Sequence, residues 1–169
     1  ARAREAAPTS PRPWVQAGRH LIRAGRHAEA VATWNELRRR HPDAFVLIAA
    51  EHAASAQAAG LADEVLATLQ ALYVQQPSLD LLQAIDMLDA DTARVRQRHA
   101  EHLARQPTLS AAAAVLRDMP DGDLQNSLVA TVERAAKPLH RYRCAACGFE
   151  AQRHFWQCPG CLSWDSYPP

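Results

Sequence analysis

The chain has 169 residues and 18.6 kDa, is 48% hydrophobic and 22% charged, and contains 11 Pro but only 6 Gly. That apolar content excludes a disordered chain, the scarce glycine excludes collagen-like or low-complexity structure, and the length suits one ordinary soluble unit or two small ones. A net charge of +1 removes any whole-chain drive toward nucleic acid or anionic membrane. The even total conceals segments of opposite sign: +6 over residues 1–42, −6 over 43–137 and +1 over 138–169. No run approaches the ~18 apolar residues of a membrane span, and no charged stretch followed by an apolar core marks a signal peptide. The chain begins at Ala1 rather than Met, which leaves a segment upstream of it open.

Up to residue 137 the sequence is rich in Ala and Leu, without the alternation of a strand. His41-Pro42, Gln76-Pro77 and Gln106-Pro107 recur at intervals of 35 and 30 residues, close to the 34-residue period of tetratricopeptide repeats. Each Pro ends one helix pair and starts the next. In the first pair Trp14, Gly18 and Leu21 fall at i, i+4, i+7, the Ala24-Gly25-Arg26 turn follows, and Ala30, Trp34 and Leu37 repeat the spacing. The second pair has Ala49, Ala53 and Ala56, a turn at Gly60, then Val65, Leu69 and Leu72. A third pair has a first helix with Leu81, Leu82, Ile85 and Leu88, a turn at Asp89–Thr92, and a second helix from Ala93 to Arg105. Beyond Pro107, Leu109–Met119 and Leu124–Ala136 form a further pair broken at Pro120-Asp121-Gly122. Since no pair buries its apolar face alone, three or four are expected to stack into a short right-handed solenoid.

Arg12, Gln16, Arg19 and Arg23 make one stripe on the first helix, the helix that lines the concave side of tetratricopeptide folds. This stripe is a candidate groove for an acidic or carboxylate-ended peptide; a solvated surface face is the competing reading, since exposed charges contribute little unless paired. His99 and His102 share a helix face at i, i+3, but with no third ligand near them they read as occupants of repeat slots. No Gly-rich phosphate loop, Ser/His/Asp arrangement or H-E-x-x-H motif is present, and the chain is expected not to be an enzyme.

All four cysteines lie in the tail, as two Cys-x-x-Cys pairs: Cys144 with Cys147, and Cys158 with Cys161. In a chain with no mark of secretion this spacing belongs to a metal site. Each pair puts two thiolates on one side of a tight knuckle, and two knuckles facing each other close a tetrahedron at about 2.3 Å per bond. Gly148 follows the first knuckle. Gly160 lies inside the second, where a backbone N–H must approach sulfur and a left-handed conformation is a candidate. Tyr142, Phe149, Phe155, Trp156 and Trp164 supply strand-favouring aromatics for a short hairpin.

A c-type haem site requires His after the second Cys, whereas Gly148 and Leu162 stand there; a thioredoxin-like pair requires a βαβ context. Four thiolates leave no open position for catalysis, so the ion is structural, zinc or iron, bound by Cys144, Cys147, Cys158 and Cys161. Such a centre carries net −2, which Arg141, Arg143 and Arg153 are placed in sequence to offset. The expected fold is thus an all-α tetratricopeptide-like solenoid over residues 1–137 with a small rubredoxin-like or zinc-ribbon β knuckle domain over 138–169.

The strings Tyr142-Arg-Cys144-Ala-Ala-Cys147-Gly148-Phe149 and Trp156-Gln-Cys158-Pro159-Gly160-Cys161, with Trp164 following, resemble the C-terminus of the bacterial lipopolysaccharide assembly protein B family. The Gln106-Pro107-Thr108-Leu109 stretch is also similar. That resemblance implies a tetratricopeptide array followed directly by a rubredoxin-like four-Cys knuckle that packs on the repeats and is needed for activity. It further implies a non-enzymatic adaptor at the cytoplasmic face of the inner membrane, helping the membrane-anchored FtsH protease degrade the deacetylase of the lipid A pathway. Partners are then that protease, the deacetylase and other lipopolysaccharide assembly proteins, with no nucleic acid. The family pattern has an N-terminal transmembrane helix and about nine repeats. Against it, this chain reads as a soluble C-terminal fragment, with membrane contact only through a segment it lacks and with homo-oligomerisation open. Two rival readings keep the same four sulfurs: a zinc ribbon that binds nucleic acid, against which the acidic middle speaks, and an iron electron carrier.

Overall fold

Two glycines set where the first helical hairpins reverse. In the computed structural model, which describes residues 9–119, 122–139 and 141–168, Gly25 and Gly60 have φ of 71° and 70°. Each sits just past a helix end, and the next residue's N–H reaches back to a carbonyl five residues earlier: Arg26 to Leu21 at 2.9 Å, and Leu61 to Ala56 at 2.8 Å. This closure satisfies carbonyls that a helix end leaves orphaned, and glycine adopts the left-handed conformation without a Cβ clash.

The described residues form nine α-helices and a two-stranded sheet, and the chain divides into two compact units, one running to Ala90 and the other from Asp91 to Pro168. The first unit holds α1 (Arg12–Arg23), α2 (His27–Arg40), α3 (Pro42–Val46), α4 (Ala49–Ala59), α5 (Ala62–Gln75) and α6 (Leu79–Leu88). Helix α1 packs on α2, α2 on α4, and α6 on both α4 and α5. This is the neighbour-on-neighbour stacking of tetratricopeptide-like helix pairs. Three expected core triplets are buried, Ala30, Trp34 and Leu37 on α2, Ala49, Ala53 and Ala56 on α4, and Val65, Leu69 and Leu72 on α5, while on α1 Trp14 and Gly18 are buried and Leu21 is half-buried.

One slot is set by steric exclusion. Gly18 of α1 lies against the fully buried Trp34, and a Cβ there would overlap the indole. The sequence pattern did not anticipate α3. Pro42 starts this short helix, which stops at Val46 and so turns Phe45 inward, where its ring meets His52 edge-on at 5.1 Å. Helix α4 then begins afresh at Ala49.

The second unit holds α7 (Thr92–Arg105), α8 (Leu109–Arg117), α9 (Asp123–Ala136), a 3₁₀ turn (Lys137–Leu139) and the tail strands β1 (Tyr142–Arg143) and β2 (Glu150–Ala151). Helix α7 packs on α8, and α8 on α9. The unit boundary therefore falls between the two helices read from sequence as the third pair. Pro120 and Asp121 of the expected Pro120–Gly122 turn lie outside the described residues. The motifs at Pro77 and Pro107 end and start helices by one device. Gln76 and Gln106 cap the C-termini of α5 and α7, and the hydroxyls of Ser78 and Thr108 accept from the backbone of Leu81 and Ala111 to open α6 and α8. His99 and His102 are buried in α7 at the places that Leu69 and Leu72 fill in α5, and His99 Nδ1 lies 2.5 Å from Asp118 Oδ2. They are core residues of a repeat slot. No helix among the described residues is long and apolar enough to cross a membrane.

Gly18→Ala should destabilise the first unit by about 1–3 kcal/mol, because Trp34 has nowhere to retreat. Thermal melts followed by circular dichroism check this, and an unchanged melting temperature contradicts the packing described. His52 gives a second test. It is fully buried on α4 between Trp34 and Phe45, and burial, aided by the charge on Arg38, lowers its pKa from 6.5 to about 4. Between those values the unfolded chain binds the extra proton, so stability falls as pH falls through the window. Urea titrations of wild type and His52→Leu should diverge by up to about 3 kcal/mol between pH 6.5 and 4, with wild type losing more. Parallel curves would remove His52 as the cause.

Candidate metal centre

A metal knuckle needs its two cysteines held by backbone hydrogen bonds so that both sulfurs face one point. The tail builds that arrangement twice. In the first knuckle Gly148 N–H donates to Cys144 C=O at 2.8 Å and Cys144 N–H donates to Phe149 C=O at 2.9 Å. In the second, Leu162 N–H donates to Cys158 C=O at 2.9 Å and Cys158 N–H donates to Ser163 C=O at 2.8 Å. The residue after each second cysteine adopts the left-handed conformation: Gly148 has φ of 78° and Leu162 has φ of 61°. The left-handed residue of the second knuckle is thus Leu162, not Gly160. Gly160 has two other reasons to lack a side chain. Its N–H donates to Cys158 Sγ at 3.4 Å, and a Cβ would come within 3.1 Å of the Phe149 ring.

The strands β1 and β2 bring the knuckles together. They pair antiparallel, Tyr142 opposite Ala151 and Arg143 opposite Glu150, and a single bridge joins Gln157 to Trp164. Phe149, Phe155 and Trp156 lie outside the paired strands, a correction to the hairpin expected from composition. Phe155 instead packs with Tyr142 and Ala151 against a small core of Cys144, Cys158 and Tyr167. His154, for which residue spacing carries no signal, sits among Tyr142, Trp156 and Tyr167, with ring centroids 4.7–6.2 Å away. Its Nε2 lies 3.3 Å from Tyr167 C=O, and burial lowers its pKa.

All four sulfurs lie within 4.8 Å of one another, with Cys144 to Cys161 at 3.8 Å and Cys147 to Cys158 at 3.7 Å. A regular tetrahedron with bonds of about 2.3 Å has edges of about 3.8 Å, so the sulfur spacing fits one thiophilic ion. Cys144 and Cys158 are buried, while Cys147 and Cys161 reach the surface. Polar groups surround the sulfurs: Ser166 Oγ lies 3.2 Å from Cys144, Ser163 Oγ 3.3 Å from Cys161 and Tyr167 Oη 3.8 Å from Cys158. Outer hydrogen bonds of this kind orient ligands and stabilise charge on them. The Ser166 hydroxyl is the chief cause that draws the Cys144 thiol down to about 6, and the Ser163 hydroxyl lowers Cys161. Cys147 goes up to about 12, the favourable Phe149 N–H being outweighed by the neighbouring sulfurs and by desolvation. Thiols this close cannot all ionise without a cation between them, and the donor set is suited to hold one.

Two of the three arginines expected to offset that charge are engaged elsewhere: Arg141 pairs with Glu150 at 3.2 Å, and Arg153 stacks on Phe155 at 4.7 Å. Arg143 lies beside Gly148 in the first knuckle. On α1, Gln16 and Arg23 are exposed and Arg12 is half-buried. Arg19 forms a two-pronged ion pair with Glu51 of α4, at 2.9 and 2.6 Å. Sequence spacing carries no signal for a pairing between residues so far apart. Among the described residues the four cysteines are the one cluster suited to a metal, and neither His99 nor His102 belongs to it.

The family model for the rubredoxin metal binding domain matches residues 142–168. Lipopolysaccharide assembly protein B from Escherichia coli strain K12 is 27% identical over 97 residues, which cover 53% of this chain and 24% of that protein. The proteins of the same name from strains CFT073 and O157:H7 align with the same identity and coverage. The chain thus matches about a quarter of the length of these relatives. Both comparisons bear out the resemblance to the C-terminal portion of the lipopolysaccharide assembly protein B family.

Because the tail's buried core is little more than Cys144, Cys158 and Tyr167, metal binding should supply much of its folding free energy. A strong chelator is expected to abolish the near-ultraviolet signal of Tyr142, Trp156 and Tyr167 while far-ultraviolet helicity persists. Simultaneous loss of both would show that the tail and α7–α9 unfold as one cooperative whole.

Proposed function

We propose that this chain, the C-terminal portion of a lipopolysaccharide assembly protein B family member, is a non-enzymatic adaptor whose metal-organised tail fixes a recognition surface beside helical repeats. The observation that carries the reading is the convergence of Cys144, Cys147, Cys158 and Cys161 within 4.8 Å in the segment matched by the rubredoxin metal binding domain. In this reading those four residues ligate one zinc or iron ion. The ion is structural, because four thiolates complete its coordination and leave no site for substrate. The working division is repeats over 1–137 and metal domain over 138–169.

The relatives are named for lipopolysaccharide assembly, and the family resemblance supplies the finer reading. The full-length protein would act at the cytoplasmic face of the inner membrane, tuning lipopolysaccharide synthesis by presenting the lipid A pathway deacetylase to the FtsH protease. Helical repeats suit such work, since a stack of helix pairs offers an extended surface to a partner chain. On α1 the candidate partner stripe of Arg12, Gln16, Arg19 and Arg23 retains Gln16 and Arg23 as its exposed members, while Arg19 is held by Glu51. Arg23 is therefore the stripe's cation best placed to meet an acidic peptide.

Affinity capture from a bacterial envelope extract tests the adaptor. Wild type should retain the protease or the deacetylase, and the Cys158→Ser, Cys161→Ser double variant should lose it while keeping its helicity. Equal recovery by both would take recognition away from the metal-organised end.

A further inference from the structure

The four sulfurs are not equivalent, and their inequality suits a chemistry that a purely structural site does not need. Cys147 and Cys161, one from each knuckle, are exposed, whereas Cys144 and Cys158 are buried. Two sulfur contacts cross between the knuckles and join an exposed sulfur to a buried one: Cys161 to Cys144 at 3.8 Å, and Cys147 to Cys158 at 3.7 Å. A thiolate held by a metal keeps its nucleophilic lone pairs, and reactivity toward oxidants follows thiolate character and access to solvent. Each exposed sulfur thus has a reachable face, and behind it a second sulfur already within closing distance of a disulfide bond of about 2.05 Å.

We propose that the centre is an oxidative modification site at which a hydroperoxide attacks Cys147 or Cys161 and the buried cysteine of the opposite knuckle resolves the product, releasing the metal. The inference rests on the four-thiolate reading above. In the first step the exposed thiolate sulfur takes the terminal oxygen of the peroxide: an S–O bond forms, the O–O bond breaks and hydroxide leaves (for hydrogen peroxide). The sulfur is oxidised by two electrons and the peroxide is reduced. In the second step the buried thiolate, Cys144 for Cys161 or Cys158 for Cys147, attacks the sulfenic sulfur, so an S–S bond forms, the S–O bond breaks and a second hydroxide leaves. Two thiolates and one hydroperoxide give one disulfide and two anions of the leaving oxygens. An ion left with two sulfur ligands in place of four loses its hold, and the second cross-knuckle pair is then open to the same reaction. A dithiol reductant reverses both disulfides by exchange.

The proposal names a connectivity, cross-knuckle and exposed to buried, which separates it from indiscriminate thiol oxidation. Cleavage after Arg143 and Arg153 places Cys144 and Cys147 in one tryptic peptide and Cys158 and Cys161 in another. The full chain, purified and loaded with zinc, is first assayed for zinc per chain, then treated with hydrogen peroxide while zinc release is followed with a chromophoric chelator. It is then alkylated, digested and examined by mass spectrometry without reduction. The expected result is full release of zinc with the two peptides covalently joined as Cys144–Cys161 and Cys147–Cys158, and recovery of zinc binding after dithiol treatment. Zinc retained under peroxide overturns the proposal. So does release with the peptides unlinked, each lighter by the hydrogens of its own internal disulfide, which would place the reaction within each knuckle. A chain that takes up no zinc at the outset fails the four-thiolate reading itself, and the inference falls with it.

Discussion

Four cysteine sulfurs held within 4.8 Å, too close for all to ionise unaided, set the constraint on which the tail depends. Without a cation the cluster works against itself: the Ser166 hydroxyl draws Cys144 toward ionisation, while neighbouring sulfurs and desolvation push Cys147 away from it. A divalent ion at the centre would remove the conflict and tie the two knuckles into one object. Everything else in the tail serves that closure. The two-residue strands align the knuckles, Gly148 and Leu162 turn the chain left-handed after each second cysteine, and Tyr167 covers the inner sulfurs.

The helical units depend on a different kind of constraint, the exclusion of volume at a few slots. Gly18 is small because the Trp34 indole occupies the space its side chain would take. Phe45 reaches His52 because the chain stops being helical after Val46. In the second unit the slots of Leu69 and Leu72 are filled by His99 and His102, and polar groups follow them inward, with Asp118 meeting His99. Replacing an apolar pair by imidazoles leaves α7 more dependent on hydrogen bonds than its counterpart in the first unit.

Much of this was legible from residue spacing. The triplets on α2, α4 and α5 declare their buried face through 3.6-residue periodicity, and the Pro motifs announce helix boundaries because Pro restrains the residue before it and, after Pro77 and Pro107, Ser or Thr caps the next helix. The convergence of the four cysteines was legible for the same reason: the knuckle geometry of Cys-x-x-Cys is local. What escaped depends on pairings far apart in sequence. Glu51 holding Arg19 makes the α1 stripe less cationic than its sequence reads. His154 joins the tail's aromatic cluster through Tyr167, and Leu162 takes a left-handed turn that its side chain disfavours. The break between α3 and α4 is likewise decided by where Phe45 can be buried, which no local propensity encodes.

The proposed function rests on a single ion bound by four sulfurs. The most direct measurement is X-ray absorption at the metal edge of the chain as purified, read for the number, kind and distance of ligand atoms. Four sulfur scatterers at about 2.3 Å are the predicted result. A shell containing nitrogen or oxygen, or fewer than four sulfurs, would contradict the closed four-thiolate centre from which the structural and functional account is built.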